Sequence, residues 1–352
     1  MSCFILGIMM SASVHANQGG LAAASPKASS LTEVNQVLTF TTTQQMIDSP
    51  YVTAGGDGSE GNPFVIENLL FKDVPGTGAF AVINIQDIDA YIEIRGNTFE
   101  GNSIQPNWGI FIDLVNNMVI ENNVFDGLEI NGIGLYRNND TVIRGNTFRN
   151  LANGIWTHPQ VMNDILVENN IFDTMDRGID VTTTNPIRRW TIRENIFVNM
   201  DHHAIRFQGN MRDNKIYQNN FLDNSISKSY YMASAVINYV EFHDSATERG
   251  NYYLGYLCHP DLAGASIDGD VWDTPYLVRS DNYDEFPLVN PSVDLGEYAS
   301  LEADCDALNG NGNGNGDDNG DDDNGGAIPG YPIAFLLASI SVAAWILIKR
   351  ER

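Results

Sequence analysis

One phrase, aliphatic-x-x-Asn-x-Phe, recurs six times in the stretch from Ile92 to Phe221, and few folds can repeat it at this spacing. It pairs Asn97 with Phe99, Asn123 with Phe125, Asn146 with Phe148, Asn170 with Phe172, Asn195 with Phe197 and Asn219 with Phe221. The Phe positions step by 26, 23, 24, 25 and 24 residues. A fainter copy ends at Phe71 and has Leu69 where the Asn should stand. A fixed period of this size is the mark of a solenoid.

A second phrase, Gly-Ile-x-aliphatic, falls once in each period. It reads Gly109 to Ile112, Gly132 to Leu135, Gly154 to Thr157, Gly178 to Val181 and, with Ala for Gly, Ala204 to Phe207. Its alternation is that of a strand. About 24 residues with three short strands and no helical pattern predict one coil of a right-handed parallel β-helix. The expected fold class is therefore all-β, with about seven or eight coils rising ~4.8 Å each. The inward Asn amides should bond the backbone of the turn and the Asn of the next coil as a ladder. Asn also tolerates a left-handed backbone, which suits a tight turn. The Phe rings should stack along the interior.

Composition narrows the partners. Acidic residues outnumber basic ones 45 to 19, for a formal charge of -26 in 352 residues. That surface repels nucleic acid. Residues 1–16 resemble a signal peptide without its basic start, and 17–36 read as a linker. Residues 37–250 are the β-helix, with Gln44–Asp48 as a helical turn covering its open first coil. Residues 251–308 leave the repeat and read as a C-terminal cap. Residues 309–326, rich in Gly, Asn and Asp, can bury nothing and read as an acidic tether. Residues 328–348 carry no charge and have the length of a membrane span, and the basic tail 349–352 belongs in the cytoplasm. The expected arrangement is a monomeric outside domain on a single-pass C-terminal anchor in the cell membrane. In an oxidising exterior Cys258 and Cys305 are candidates for a disulfide, and Asn139 opens a glycosylation sequon.

The Asn–Phe coils, the lead-in from Gly58 to Ile66, and the cap segments Gly250-Asn-Tyr-Tyr253, Asp268-Gly-Asp270 and Asp273-Thr-Pro-Tyr276 resemble the NosD-type β-helix family. That family is described as periplasmic copper-binding, with carbohydrate-binding and sugar-hydrolase (CASH) repeats. The resemblance covers roughly residues 38–290 and implies the fold. It implies function only loosely, with a copper-associated role as a minor alternative. The segment Ile328-Pro-Gly-Tyr-Pro332 is similar to the membrane anchors of archaeal surface proteins of this kind. The cap departs from the family pattern at Tyr253, which stands for a Trp, and at Gly255, which stands for an Asp.

Candidate chemistry lies beside the Gly-Ile phrase. If the aliphatics point inward, one outward column is Phe111, Gly134, Trp156, Asp180 and Arg206, and the next is Asp113, Tyr136, His158, Thr182 and Gln208. Aromatic, carboxylate and guanidinium groups on one flat face suit an extracellular polysaccharide or glycan. Phe111, Tyr136, Trp156, His158, Asp180 and Arg206 are the candidate contacts. The alternatives are a lyase, epimerase or hydrolase using Asp180, Arg206 and His158, with Asp176 and Asp201 nearby, or a structural or adhesive envelope protein. Short turns argue against deep groove walls and so against the enzyme. His202 and His203 point to opposite faces of a strand and do not readily share copper or zinc. No cofactor is required; calcium at Asp268, Asp270 and Asp273 is a candidate, although the full calcium-loop ligand pattern is missing.

Overall fold

The structure is a computed structural model that describes residues 31–301, apart from 76–78, 102–107, 158–159, 223–229, 233–239, 259–261, 263 and 280–281. The unit spanning Met1–Asn311 holds all of them. Within it the chain winds as an all-β parallel solenoid whose regular part is about six turns. The expectation of seven or eight coils includes the less regular coil at each end.

Every coil contributes a strand to each of three parallel faces. The first runs through Phe64–Glu67, Ile92–Arg95, Asn116–Glu121, Asn139–Arg144, Asn163–Glu168, Thr191–Arg193 and Asn214–Tyr217. The second carries the Phe positions, from Leu69–Phe71 to Tyr252–Tyr253. The third carries the Gly-Ile phrase, from Leu38–Phe40 through Ala81–Gln86, Trp108–Asp113 and Asn131–Tyr136 to Tyr230–Met232. In three places the Phe and Gly-Ile segments fuse into one long strand, Thr147–Thr157, Ile171–Arg188 and Ile196–Arg212.

The Phe column fills the core. Successive rings from Phe71 to Phe221 lie 4.7–5.2 Å apart and within 12° of parallel. That spacing follows the strand repeat, so each ring stacks on its image one coil away. The Gly of the second phrase exists for these rings. A Cβ at Gly132 would sit 2.6 Å from Cδ1 of Phe148, and one at Gly154 would sit 2.6 Å from Cδ1 of Phe172.

The Asn column forms the expected ladder. Asn123 donates its backbone N–H and its Nδ2–H to Oδ1 of Asn146, at 2.9 and 3.0 Å, and Nδ2 also donates to the carbonyl of Ile94 at 2.8 Å. The pattern repeats at Asn97, Asn146, Asn170, Asn195 and Asn219. It starts at Leu69, which offers only its backbone N–H to Asn97. One expectation is corrected. The left-handed residue is not the ladder Asn but the residue before it: Gly96, Asn122, Gly145, Asn169, Glu194 and Gln218 all have φ between 54° and 64°. The turn reverses there, which frees the ladder Asn to aim its amide inward.

Both ends are closed. The helix Thr43–Asp48, with a capping box between Thr42 and Gln45, buries Met46 over the first coil. At the other end lie two antiparallel hairpins, Ile267–Asp268 with Val271–Trp272 and Tyr276–Arg279 with Asn282–Asp284. Cys258 is disulfide-bonded, and Cys305 lies outside the described residues. No helix among the described residues is long and apolar enough to cross a membrane, and the expected span at 328–348 lies outside them.

Candidate functional site

The three outer surfaces differ in what they leave open. On the first face the outward row reads Glu67, Arg95, Glu121, Arg144, Glu168, Arg193, alternating in sign at every coil. Arg95 meets Glu67 at 3.0 Å, Arg144 meets Glu121 at 2.7 Å and Arg193 meets Glu168 at 2.6 Å. These charges answer one another.

The second face is covered over its later coils. The strap after the cap buries Tyr298, with Val293 and Leu295 packed alongside, against Ile171, Ile196, Val198 and Leu222. Ser292 exchanges hydrogen bonds with the side chain of Asn220 at 2.8 and 2.9 Å. Tyr298 donates to Asp173 at 2.9 Å and accepts from Arg149 at 3.2 Å.

The third face carries the columns expected beside the Gly-Ile phrase. The register stacks Asn84, Phe111, Gly134, Trp156, Asp180 and Arg206. Tyr136 stacks on Asp113, and Thr182 on Gln208. His158 lies outside the described residues.

Two side chains not among the candidates complete this surface. Trp108 and Phe80 are partly exposed, and with Phe111 and Trp156 they form one aromatic patch. Phe80 lies 6.1 Å from Trp108 and 6.0 Å from Phe111, and Trp108 meets Trp156 edge-on at 5.3 Å. Strict alternation would turn Trp108 inward. However, Gly109 faces the core, where its Cβ would lie 2.7 Å from the Phe125 ring, and Ile110 is also buried. Two consecutive inward residues break the alternation, so Trp108 emerges on the outer side.

The structure corrects several candidate contacts. Phe111 is only 9% exposed, because Phe80 and Trp108 cover it, so it supports the patch from beneath. Asp180 is 3% exposed, and its Oδ1 accepts from Arg206 Nε at 2.8 Å and from Thr182 at 3.2 Å. It holds Arg206 in place and has no open edge for a substrate proton. Tyr136 carries the guanidinium of Arg137 on one ring face, 4.3 Å from the centroid, and Asp113 fixes that guanidinium with bonds of 2.8 and 2.6 Å.

His202 is 62% exposed and pairs with Asp176, which also accepts from Arg177 at 2.7 Å. An extra residue between Met200 and His203, relative to the coil below, pushes His202 out. The rings of His202 and His203 are 6.4 Å apart and steeply inclined. In the cap Asp270 pairs with Arg249, while Asp273 accepts from Ser266 N at 2.9 Å and from Thr274 at 3.0 Å. With Asp268 they do not gather; among the described residues no group of three or more His, Cys, Asp or Glu is arranged to hold a metal. Asn139 is a rung of a second, outer ladder. Its Nδ2 donates to Asn116 at 3.2 Å.

Residues 52–189 match the family model described as "Right handed beta helix region". No curated protein matches the chain. Similar solved structures include a hyperthermoactive exopolygalacturonase from Thermotoga maritima. It is 10% identical, with a TM-score of 0.37 over 55% of this chain and 51% of that one. Another is a mutant tailspike protein of E. coli bacteriophage HK620 in complex with pentasaccharide, 14% identical, with a TM-score of 0.37 over 54% of this chain and 42% of that one. The chain spans about half the length of these structures or less, and likeness at this level carries no argument about activity. Residues 52–189 are thus similar to that family model, and the described residues wind as parallel coils.

Proposed function

We propose that this protein recognises an extracellular polysaccharide or glycan through the Gly-Ile face. The observation that carries the reading is the patch of Phe80, Trp108, Phe111 and Trp156. It sits on a face that is neither zipped by alternating charges, as the first is, nor crossed by the strap, as the later coils of the second are. Sugar rings present C–H faces that pack on indole and phenyl rings, and Arg206, oriented by Asp180, can donate to hydroxyl or carboxylate oxygens beside them. The acidic surface elsewhere favours solubility over nucleic-acid contact.

The same reading takes the β-helix to be displayed outside the cell membrane by the uncharged segment 328–348, with the acidic tether between them. The enzymatic alternative would use Asp180, Arg206 and His158; of these, Asp180 and Arg206 are committed to each other at 2.8 Å. Recognition is therefore preferred over catalysis.

The test is a glycan-array screen of the full chain, with and without calcium, beside Trp156→Ala. Binding by the wild type that Trp156→Ala loses supports the reading. Absence of binding to any neutral or acidic glycan overturns it and leaves an envelope scaffold.

A further inference from the structure

In a solenoid each coil touches only its neighbours, so the coils near an end can open one at a time. The segment that follows the cap escapes that rule. Ser292 exchanges hydrogen bonds with Asn220, and its hydroxyl also donates to the carbonyl of Gln218. From there the chain runs back along the second face, with Val293 and Leu295 packed beside Ile196, Val198 and Leu222. It ends on a pin. The Tyr298 hydroxyl donates to Asp173 at 2.9 Å and accepts from Arg149 at 3.2 Å, while Glu297 pairs with Arg149. Asn220, Ile196, Ile171 and Thr147 stand in register on successive coils, so one strap joins four coils.

The face beneath is built for this cover. One outward row reads Glu100, Asp126, Arg149 and Asp173 on successive coils, then turns to Val198, with Leu222 on the coil after. Val198 and Leu222 point away from the Phe stack, yet they are 1% and 3% exposed, because the strap lies on them. The cap does not need the strap to hold it, since it has its own attachment. Asp284 of the cap accepts the N–H and the Nδ2–H of Asn251 at 2.6 and 3.1 Å, where earlier rungs of the inner ladder use the next Asn. The pinned residues also reach further. Arg149 and Asp173 lie in the strands Thr147–Thr157 and Ile171–Arg188, which continue to Trp156 and Asp180 on the Gly-Ile face.

We infer that the strap is a clamp that makes these four coils open and close as one. With Tyr298 seated, none of the coils between Arg149 and Asn220 leaves its neighbours without giving up its contacts to the strap. With Tyr298 released, the coils fray in order from the C-terminal side, and the strip of Ile171, Ile196, Val198 and Leu222 meets water. The clamp thus turns a chain of nearest-neighbour contacts into one cooperative block, and it steadies the two strands that carry Trp156 and Asp180. It does not depend on the glycan reading.

Hydrogen exchange of the full chain at low denaturant concentrations tests it. In the wild type, residues 171–173, 196–198 and 220–222 should share one opening free energy. In Tyr298→Ala they should separate, with 220–222 opening most easily. Protection at 196–198 and 220–222 should fall by about tenfold or more, while residues 116–126 stay constant. Leu301→Ala, at an exposed position beyond the pin, should behave as the wild type. Graded protection in the wild type, no change in Tyr298→Ala, or the same fall in Leu301→Ala overturns the clamp. Should Tyr298→Ala fail to fold, Tyr298→Phe decides. It keeps the ring and removes both hydrogen bonds, so protection should fall at the same residues, and unchanged protection overturns the clamp.

Discussion

The indole of Trp108 reaches across the intervening coil to meet Trp156 edge-on at 5.3 Å, and it can do so because Gly134 lies between them without a side chain. A Cβ at Gly134 would sit 2.5 Å from Cζ3 of Trp108. The tryptophan contact therefore spans three coils, in which an absent side chain on the middle strand lets two tryptophans touch.

Gly134→Ala accordingly displaces Trp108 while leaving the core untouched. We expect glycan affinity to fall roughly fivefold or more, about 1 kcal/mol, with the thermal midpoint lowered by only a few degrees. Calorimetric titration alongside thermal denaturation checks both halves. Unchanged affinity would remove Trp108 from the binding surface.

Breaking the ladder in its middle should be far more damaging. Asn146→Ala leaves two donors of Asn123, its N–H and its Nδ2–H, without their shared acceptor in a water-free interior. A loss of about 2–4 kcal/mol is expected from denaturant unfolding. A loss comparable to an exposed Asn→Ala change would mean that the ladder contributes little.

The left-handed turn offers a stabilising change. Gln218 holds φ at 55°, a conformation that costs a side-chain-bearing residue about 1 kcal/mol or more. Gln218→Gly relieves this, less the larger unfolded-state entropy of Gly, for a net gain of roughly 0.5 kcal/mol. The same exchange at Tyr217, which has no positive φ, should destabilise, and equilibrium unfolding of the two variants separates them.

The alternating row on the first face predicts a salt effect. Arg144→Glu would place a third carboxylate in register between Glu121 and Glu168. A cost of about 1 kcal/mol at low ionic strength should shrink as salt is added, because the side chain at position 144 is half exposed and so reached by counterions. Thermal melts over a range of salt concentrations read this directly.

Much of this is legible in the residues, and the failures have physical causes. The Asn ladder, the Phe stack and the outward column through Trp156, Asp180 and Arg206 follow from periodicity alone, because parallel coils in register turn a sequence period into a spatial column. Trp108 escapes such a reading because the inward turn of Gly109 breaks the alternation on which it relies. The signal is present, since a Gly needed against the Phe stack cannot also be an outward residue. The neighbourhood of Asp180 and Arg206 is legible in the column, but the near-complete burial of Asp180 is not, because it depends on side-chain packing. Asp284 is unreadable as a ladder rung, since it comes from the cap, 33 residues after Asn251. The strap across the second face likewise depends on tertiary contacts of residues 292–298. By contrast, the alternating charges sit in the repeated phrase itself, at the residue after each aliphatic, and are recognisable by eye once the coils are aligned.

The most direct measurement is the affinity of the full chain for its best array glycan, compared among the wild type, Trp156→Ala on the Gly-Ile face and Arg144→Ala on the first face. Trp156→Ala should weaken binding by about tenfold or more while Arg144→Ala leaves it unchanged. Equal affinity in all three, or a loss confined to Arg144→Ala, would contradict recognition through the aromatic patch.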